Sequence, residues 1–511
     1  MGGNRGHMSV QGSDEKQDVN LKKPVHVLVK DRLDKLAWMR SQGIDPFPYS
    51  FDKKHSCAVV LRDYAYLIPE QHAQDVLRVA GRVISFRRMG KASFCHLQDD
   101  SGKVQVYFRC DDLGEHSYEV LRHCDNGDII GVVGEPFKTK TGELSVYARE
   151  FVLLSKSIQP LPEKFHGLVD PELRYRKRHL DLIVNPQVRE IFVKRTKIVD
   201  AIRNHLNAHG FLEVETPILQ PVYGGANARP FKSKLHALDM DVYLRIADEL
   251  HLKRLIIGGF EKVYEFAKDF RNEGIDRTHN PEFTQIEIYQ AWVDYEEIMR
   301  LVEHLFRAAC KAVHGVWECK YGDNIIDFAK PFRRLTMRDA IKEYGQIDVD
   351  RLSDDELFDL RITYNLDVKG DVSRGIIIMK LFEALVEDKL IQPTFIIEHP
   401  SESTPLCKQS RSALGFVERF ELFIAGFECG NAYSELNDPV LQRELLEAQA
   451  AQLRGGDEEA HPMDEDFIEA LEVGMPPTAG VGFGIDRLVM LLTNAQSIKD
   501  VIFFPFMKQE N

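Results

Sequence analysis

Two stretches of this 511-residue chain carry residue types at spacings suited to chemistry on anions. Phe270-Arg271-Asn272-Glu273-Gly274 follows an extended run, Lys262 to Asp269. A polar loop with His279-Asn280-Pro281-Glu282-Phe283 comes next, and a second extended run, Thr284 to Ala291, returns. The pattern predicts a hairpin with Arg271 at its rim. A guanidinium there can bridge two anions, because its planar fork presents several donors, and Phe283 can stack a flat base. Near the C-terminus, Gly480-Val481-Gly482-Phe483-Gly484-Ile485-Asp486-Arg487 joins a glycine-rich strand to a helix beginning near Asp486. Glycines let the backbone approach a flat ligand, and Arg487 can cover it.

Residues 25–43 read as a helix with an apolar stripe of Val25, Leu28, Leu33, Leu36 and Met39, decorated by Lys30, Arg32, Lys35 and Arg40. Those cations suit either a solvated face or contact with nucleic-acid phosphates. From about Leu77 to Leu154 the period falls to two. Strands are expected at 79–84, 93–99, 103–108, 128–134 and 144–151, parted by Asp100-Ser101-Gly102, Asp125-Asn126-Gly127 and Thr141-Gly142. Five short strands in this span suit a small Greek-key barrel of the OB type. Such barrels read single-stranded bases with aromatics and amides on central strands, and Phe94 and Gln105 are candidates beside Arg82, Arg87, Arg88 and Lys91.

Pro160-Leu161-Pro162 and the basic cluster Arg174, Arg176, Lys177, Arg178 read as a linker. Val188, Ile191, Phe192, Arg195, Ile198, Val199, Ile202 and Leu206 then recur at three-and-four spacing, predicting a helix from Pro186 to His209 with one buried face, ended by Gly210. A strand from Phe211 to Thr216 follows. The expected organisation is a flexible tail over 1–23, a helix and OB domain over 24–155, a linker over 156–185 and a larger domain over 186–511.

The length implies at least two cores. No run approaches the roughly 20 apolar residues of a membrane span, and the first twenty residues lack the apolar stretch of a secretory signal. Eight dispersed cysteines without a CxxC pair argue against a zinc site or disulfide framework and for free thiols in the cytoplasm. The net charge of −14 decides little, because nucleic-acid binding depends on local patches.

The stretch Gly210 to Pro217, the FRNEG and HNPEF pair, and GFGIDR resemble motifs 1, 2 and 3 of class II aminoacyl-tRNA synthetases. The order of an OB domain before them resembles the aspartate, asparagine and lysine subgroup. GGANARPF at Gly224 to Phe231, YLRIADEL at Tyr243 to Leu250 and GNAYSELNDP at Gly430 to Pro439 resemble the lysine branch. Resemblance extends from about Pro24 to Met507, while the class I signatures HIGH and KMSKS are absent. It implies an α+β protein, with a five-stranded OB barrel before an antiparallel six- to seven-stranded sheet flanked by helices, and a homodimer formed through motif 1. It further implies activation of lysine by ATP and transfer to tRNA(Lys).

On that resemblance, Arg271 would hold the α-phosphate and the amino-acid carboxylate, and His279 and Arg487 the outer phosphates. Phe283 and Arg487 would cover the two faces of adenine, Glu273 would meet its amino group, and Asn280 would complete the ATP site. Glu421 and Glu428 match a magnesium-binding pair, a reasonable hard-oxygen set with ATP phosphates. A buried substrate ammonium needs carboxylate and hydrogen-bond partners. Glu249 and Glu435 supply charge there, with Glu287, Tyr289, Asn431, Tyr433 and Gly224 around them. Phe94 and Gln105 match positions that recognise the central uridine of a lysine anticodon, joined by Glu143. Two positions depart from the family pattern: Asp248 stands where proline is usual, and Cys429 where an aliphatic residue is common. Two other classes remain, a protein-modifying lysyl ligase and a catalytically inactive RNA-binding relative. The first would lack the OB module; the second would have lost Arg271, Arg487 or the Glu421/Glu428 pair.

Overall fold

The computed structural model describes residues 24–162, 168–368, 372–454 and 462–509, so the tail expected over 1–23 lies outside the described residues. The chain divides into two compact units, residues 1–166 and 167–511.

In the first unit, α1 (Val25–Ser41) precedes a closed barrel of β1 (Leu77–Met89), β2 (Ala92–Gln98), β3 (Lys103–Arg109), β4 (Ile129–Lys138) and β5 (Leu144–Ser155). The strand order is β1-β2-β3-β5-β4, closed by the parallel pairing of β3 with β5. Alternation explains the closure: Val79, Val83, Cys95, Leu97, Val104, Val106, Ile130, Val132 and Val146 all point into one buried core. The five strands stand where the sequence placed them, with ends that differ from the expected ones by up to five residues. A further helix, α2 (Glu115–Arg122), lies between β3 and β4, where the sequence pattern shows only connecting chain.

The expected stripe on α1 is corrected. Leu36 and Met39 are buried, but Val25 and Leu33 are exposed, while Arg32 is only 7% exposed. Arg32 donates to the carbonyl oxygens of Asn126, Ser157 and Gln159, and Lys35 pairs with Asp31 and Asp125. These two cations fasten α1 to loop carbonyls and carboxylates that would otherwise be unsatisfied.

In the second unit, residues 171–184, expected as linker, form two short helices, Pro171–Arg176 and Arg178–Val184. The fully buried Arg178 pairs with Asp181 and donates to the carbonyls of Lys499, Ile502 and Phe503, so this segment belongs to the second unit's core. Helix α3 (Pro186–Ala208) begins with proline in its first turn and ends before Gly210, whose φ of +80° only glycine adopts freely. The strand expected at 211–216 is shorter, β6 (Leu212–Glu213). Then come α4 (Glu249–Ile257), β7 (Lys262–Phe270), β8 (Glu282–Ala291), α5 (Tyr295–His314), β9 (Arg333–Thr336), β10 (Thr394–Pro400), β11 (Phe416–Ile424), β12 (Phe427–Ser434), β13 (Thr478–Gly484) and α6 (Ile485–Thr493).

The main sheet has eight strands in the order β9-β10-β11-β12-β13-β8-β7-β6. Its six central strands are antiparallel as expected. The sheet is larger than expected because β9 and β6 add at the edges, both in parallel. One face packs on α3, α5 and α6: Ile286 and Ile288 of β8, Phe420 and Leu422 of β11, and Val481 and Phe483 of β13 share a core with Ile198, Ile202, Val302, Phe306 and Leu488. The intervening positions must then face the other way, and they carry the polar residues.

Candidate active site and nucleic-acid interface

Those intervening positions line one cleft. Gln285, Glu287 and Tyr289 of β8, Arg419 and Glu421 of β11, and Asn431 and Tyr433 of β12 face it, with Gly480, Gly482 and Gly484 of β13 between them. The register sets Glu421, Asn431, Gly482 and Glu287 in one row across four strands. Glycine is required in that row, because a Cβ on Gly482 would overlap the Glu287 carboxyl.

At one end of the cleft Glu249, Glu287 and Glu435 are buried together with Tyr289 and Tyr433. The Tyr433 hydroxyl donates to Glu249 Oε1 at 2.6 Å, and the Tyr289 hydroxyl and Gln285 Nε2 donate to Glu287, each at 3.1 Å. Lys253, one helical turn beyond Glu249 and completely buried, pairs with Glu249 at 2.5 Å and with Glu435. Burial and the neighbouring carboxylates Glu249 and Asp269 push the Glu287 carboxyl well above its ordinary range. Glu435 is also raised by burial, although Lys253 opposes the shift. The result is an acid-rich hole that gains from a cation. Gly225, at φ +88°, lets the chain pass within contact of Ala247 and Glu249. It lines the cleft, whereas Gly224 is buried against Leu250.

At the other end the β7–β8 hairpin runs in register from Lys262 with Gln290 to Phe270 with Glu282. Arg271 sits at its rim with its guanidinium 5.1 Å from the Phe283 ring centroid. Arg487 donates to the Glu428 carbonyl at 2.7 Å and reaches His279 Nε2 at 3.1 Å. Arginine has only donors, so His279 accepts there and carries its proton on Nδ1, which faces Asp276 at 2.8 Å. Glu273 lines the mouth of the cleft. Asn280 is buried and donates to the Glu282 carbonyl at 2.6 Å, shaping the loop as well as lining the cleft. Glu421 and Glu428 both open onto the same space, where burial and Glu421 raise the Glu428 carboxyl. Among the described residues no three His, Cys, Asp or Glu side chains cluster as a metal site by themselves. A cation held by this pair would therefore need further oxygen ligands from a bound phosphate.

Residues 170–508 match the family model described as tRNA synthetases class II (D, K and N), and residues 77–154 match the OB-fold nucleic acid binding domain. The chain belongs to the class II tRNA synthetases. A lysine–tRNA ligase of Thermoanaerobacter pseudethanolicus is 51% identical over 486 residues, covering 95% of this synthetase and 96% of the relative. Lysine–tRNA ligases of Syntrophomonas wolfei and Bacillus subtilis are 51% and 49% identical over 482 and 481 residues, each covering 94% of this chain.

The synthetase's OB barrel carries a second set of polar and aromatic side chains. Cross-strand pairing puts Arg87, Phe94, Tyr107 and Tyr147 in one row, and Ser85, His96, Gln105 and Ser145 in the next. Phe94 lies 4.6 Å from Tyr107, and Tyr107 lies 5.2 Å from Tyr147. Gln105 donates to Glu143 at 2.6 Å and accepts from Ser145, while Glu143 also pairs with His96. The three expected residues thus share one face. Tyr107 and His96 share the face, each two residues along its strand from Gln105 or Phe94, a spacing visible in the sequence, whereas Tyr147 reaches it only through the pairing of β5 with β3. Of the cations expected nearby, Arg82 and Arg88 donate to the carbonyls of Gly127 and Cys124, while Arg87 stays exposed beside Phe94.

In the cleft the sequence reading missed Gln285, Arg419, Lys253 and the structural role of Asp486. Asp486 accepts from Arg195 of α3 at 2.5 Å and from the Thr284 backbone N–H at 2.7 Å, fixing α6 and so Arg487 against the hairpin. Arg419 donates to Asn431, Glu421 and the Ser403 carbonyl.

Proposed function

We propose that this synthetase activates L-lysine with ATP, releasing pyrophosphate, and transfers the lysyl group to the 3′-terminal adenosine of tRNA(Lys). The observation that carries the reading is the acid-rich end of the cleft: three buried glutamates, Glu249, Glu287 and Glu435, of which Lys253 pairs with Glu249 and Glu435, leaving Glu287 without a paired cation among the described residues. An aspartate or asparagine side chain would bring no positive charge to it. The relatives' names point the same way.

Activation is attack of the lysine carboxylate on the α-phosphorus of ATP and needs no proton removed, so positioning and charge neutralisation carry it. Arg271 holds the amino-acid carboxylate and the α-phosphate together, stacked on Phe283 so that its planar fork keeps one orientation. Phe283 and Arg487 cover the adenine, and Glu273 meets its amino group. Arg487, aligned by its hydrogen bond to His279, neutralises the outer phosphates, with His279 beside them. Tyr289, Tyr433, Asn431 and Gln285 orient the glutamates or the substrate by hydrogen bonds. Glu421 and Glu428 would hold Mg²⁺ against the phosphates, where the ion would supply further charge neutralisation.

Phe94, Gln105 and Glu143 read the anticodon on the OB barrel, with Phe94 offering a stacking surface and Gln105 an amide already oriented by Glu143. A homodimer fits the apolar residues exposed around the motif 1 segment, Leu212, Ile218 and Leu219. All eight cysteines are buried free thiols, which suits a reducing cytoplasm, and no described helix is long and apolar enough to cross a membrane. The test is aminoacylation of a tRNA(Lys) transcript with labelled lysine, ATP and magnesium. Ester-linked lysine at the 3′ end is expected, and a transcript that stays uncharged would refute the reading.

A further inference from the structure

We propose that Arg419 is a positioning residue for the carboxylate of the amino-acid substrate, acting by turning the Asn431 amide so that its N–H groups donate into the cleft. This deepens the function proposed above and rests on it. Arg419 opens onto the cleft from β11, two residues before Glu421 and therefore on the same face of the strand. The three nitrogens of its guanidinium go to three different partners. Nε donates to the Asn431 side-chain oxygen at 2.9 Å, Nη2 to Glu421 Oε1 at 2.6 Å and Nη1 to the Ser403 backbone carbonyl at 3.2 Å. These partners lie on β12, on β11 and in the segment after β10, so one planar fork ties together three parts of the cleft wall.

The bond from Nε decides what Asn431 can offer a ligand. An amide side chain has one acceptor oxygen and one NH2 group, and a guanidinium nitrogen only donates. The Asn431 oxygen is therefore the atom held by Arg419. Its Nδ2 is left to the cleft, with no acceptor among the described residues. A donor in that position suits an anion and offers nothing to an ammonium. Asn431 also stands in the row that runs from Glu421 through Gly482 to Glu287, between the end proposed for phosphates and the acid-rich end. An amino acid whose cationic side chain enters the acid-rich end must bring its reacting carboxylate to the middle of that row to meet the α-phosphorus. Asn431 Nδ2 receives it there, together with Arg271 from the hairpin.

Charge gives the fork a second role. Glu421 pairs directly across from Asn431 in the register of β11 and β12, so a carboxylate received by Asn431 arrives beside one already in place. Like charges directly opposite each other on a sheet repel. Arg419, hydrogen-bonded to both residues, offsets the Glu421 charge where that repulsion would be greatest. A lysine at this position would keep the charge and lose the fork, because an ammonium is a point charge on a flexible stem and does not fix the planes of two partners. Arg419 acts on the substrate through Asn431 and Glu421, and its own nitrogens stay with the protein.

The experiment compares L-lysine with cadaverine, which is lysine without its carboxylate, as ligands of the purified full-length chain by titration calorimetry in the absence of ATP. Arg419→Met is expected to weaken lysine binding about tenfold, the scale of one hydrogen bond to a charged group, and to leave cadaverine within about twofold of wild type. Arg419→Lys is expected to recover only part of the loss. Asn431→Ala is expected to show the same discrimination, and the Arg419→Met/Asn431→Ala double variant to bind lysine no more weakly than the poorer single one. Equal weakening of both ligands in Arg419→Met would mean a general disturbance of the pocket and would overturn the role, as would an unchanged lysine affinity. Should Arg419→Met not fold, Asn431→Ala decides by the same comparison, with loss of lysine alone in favour and equal loss or none against. Each of these failures leaves the lysine reading standing. Absence of lysine binding to the wild type would overturn that reading and this inference with it.

Discussion

Arg271 differs from an ordinary surface arginine in what surrounds it. Its ring partner Phe283 fixes the plane of the guanidinium, its Nε reaches only the Ile246 carbonyl at 3.4 Å, and its terminal nitrogens meet no carboxylate among the described residues. A cation held in place and left free is suited to charge that develops elsewhere, on a transferring phosphoryl group. Arg271→Ala is expected to lower the rate of lysine-dependent ATP–pyrophosphate exchange by roughly 10²–10³-fold, with an unchanged thermal melt. An exchange rate within a few-fold of wild type would remove Arg271 from the chemistry. The arginine, the histidine and the pocket glutamates were all legible as residue types in recognisable motifs. Lys253 and Asp486 were not, because a lysine four residues after a glutamate on a helix ordinarily reads as a solvated i,i+4 pair. Only the fold turns that face of α4 inward, and only the sheet brings Glu435 to it. Likewise the sequence shows Asp248 as a departure from its family, but the burial of its carboxylate without a hydrogen-bond partner among the described residues is a fact of three dimensions.

At the scale of elements, period two does most of the work. Strands β8, β11, β12 and β13 each give one set of residues to the core with α3, α5 and α6, and the other set to the cleft. A run such as Ile286-Glu287-Ile288-Tyr289 states that division in sequence. The glycines of β13 are the matching half of the same pattern, small where the neighbouring strands carry long side chains. Gly482→Ala is expected to displace Glu287 and to cut kcat/KM for lysine by roughly 10²-fold, the scale of an ångström-sized misplacement. Unaltered kinetics would show that the carboxylate position is not set by this strand. The barrel follows the same rule, with its interior chosen by alternation and its binding face by what is left. Phe94→Ala is expected to lower the efficiency of tRNA charging by an amount equal to about 1–3 kcal/mol of stacking, leaving exchange at the wild-type rate. Equal loss of both activities would contradict a role confined to RNA. What the elements hid was irregular: the helix α2 between β3 and β4, the helices in the expected linker, the edge strand β9 and the parallel pairing of β6. Each is short, and their pairing partners lie far away in sequence, beyond the reach of local periodicity.

For the whole molecule, the division of labour follows from charge and architecture together. A chain with a net charge of −14 still places a row of aromatics with Arg87 on one unit, and gathers three buried glutamates, Glu249, Glu287 and Glu435, at one end of a cleft in the other. The net charge therefore does not exclude a nucleic-acid partner. The central claim is that the acid-rich hole selects an amino acid with a cationic side chain for attack on ATP. Amino-acid-dependent ATP–pyrophosphate exchange with purified protein and magnesium tests it directly, comparing lysine with aspartate, asparagine and arginine. Exchange with lysine, at least two orders of magnitude above the other three, is the predicted result. Exchange driven by aspartate or asparagine, or none with any of the four, would contradict the account.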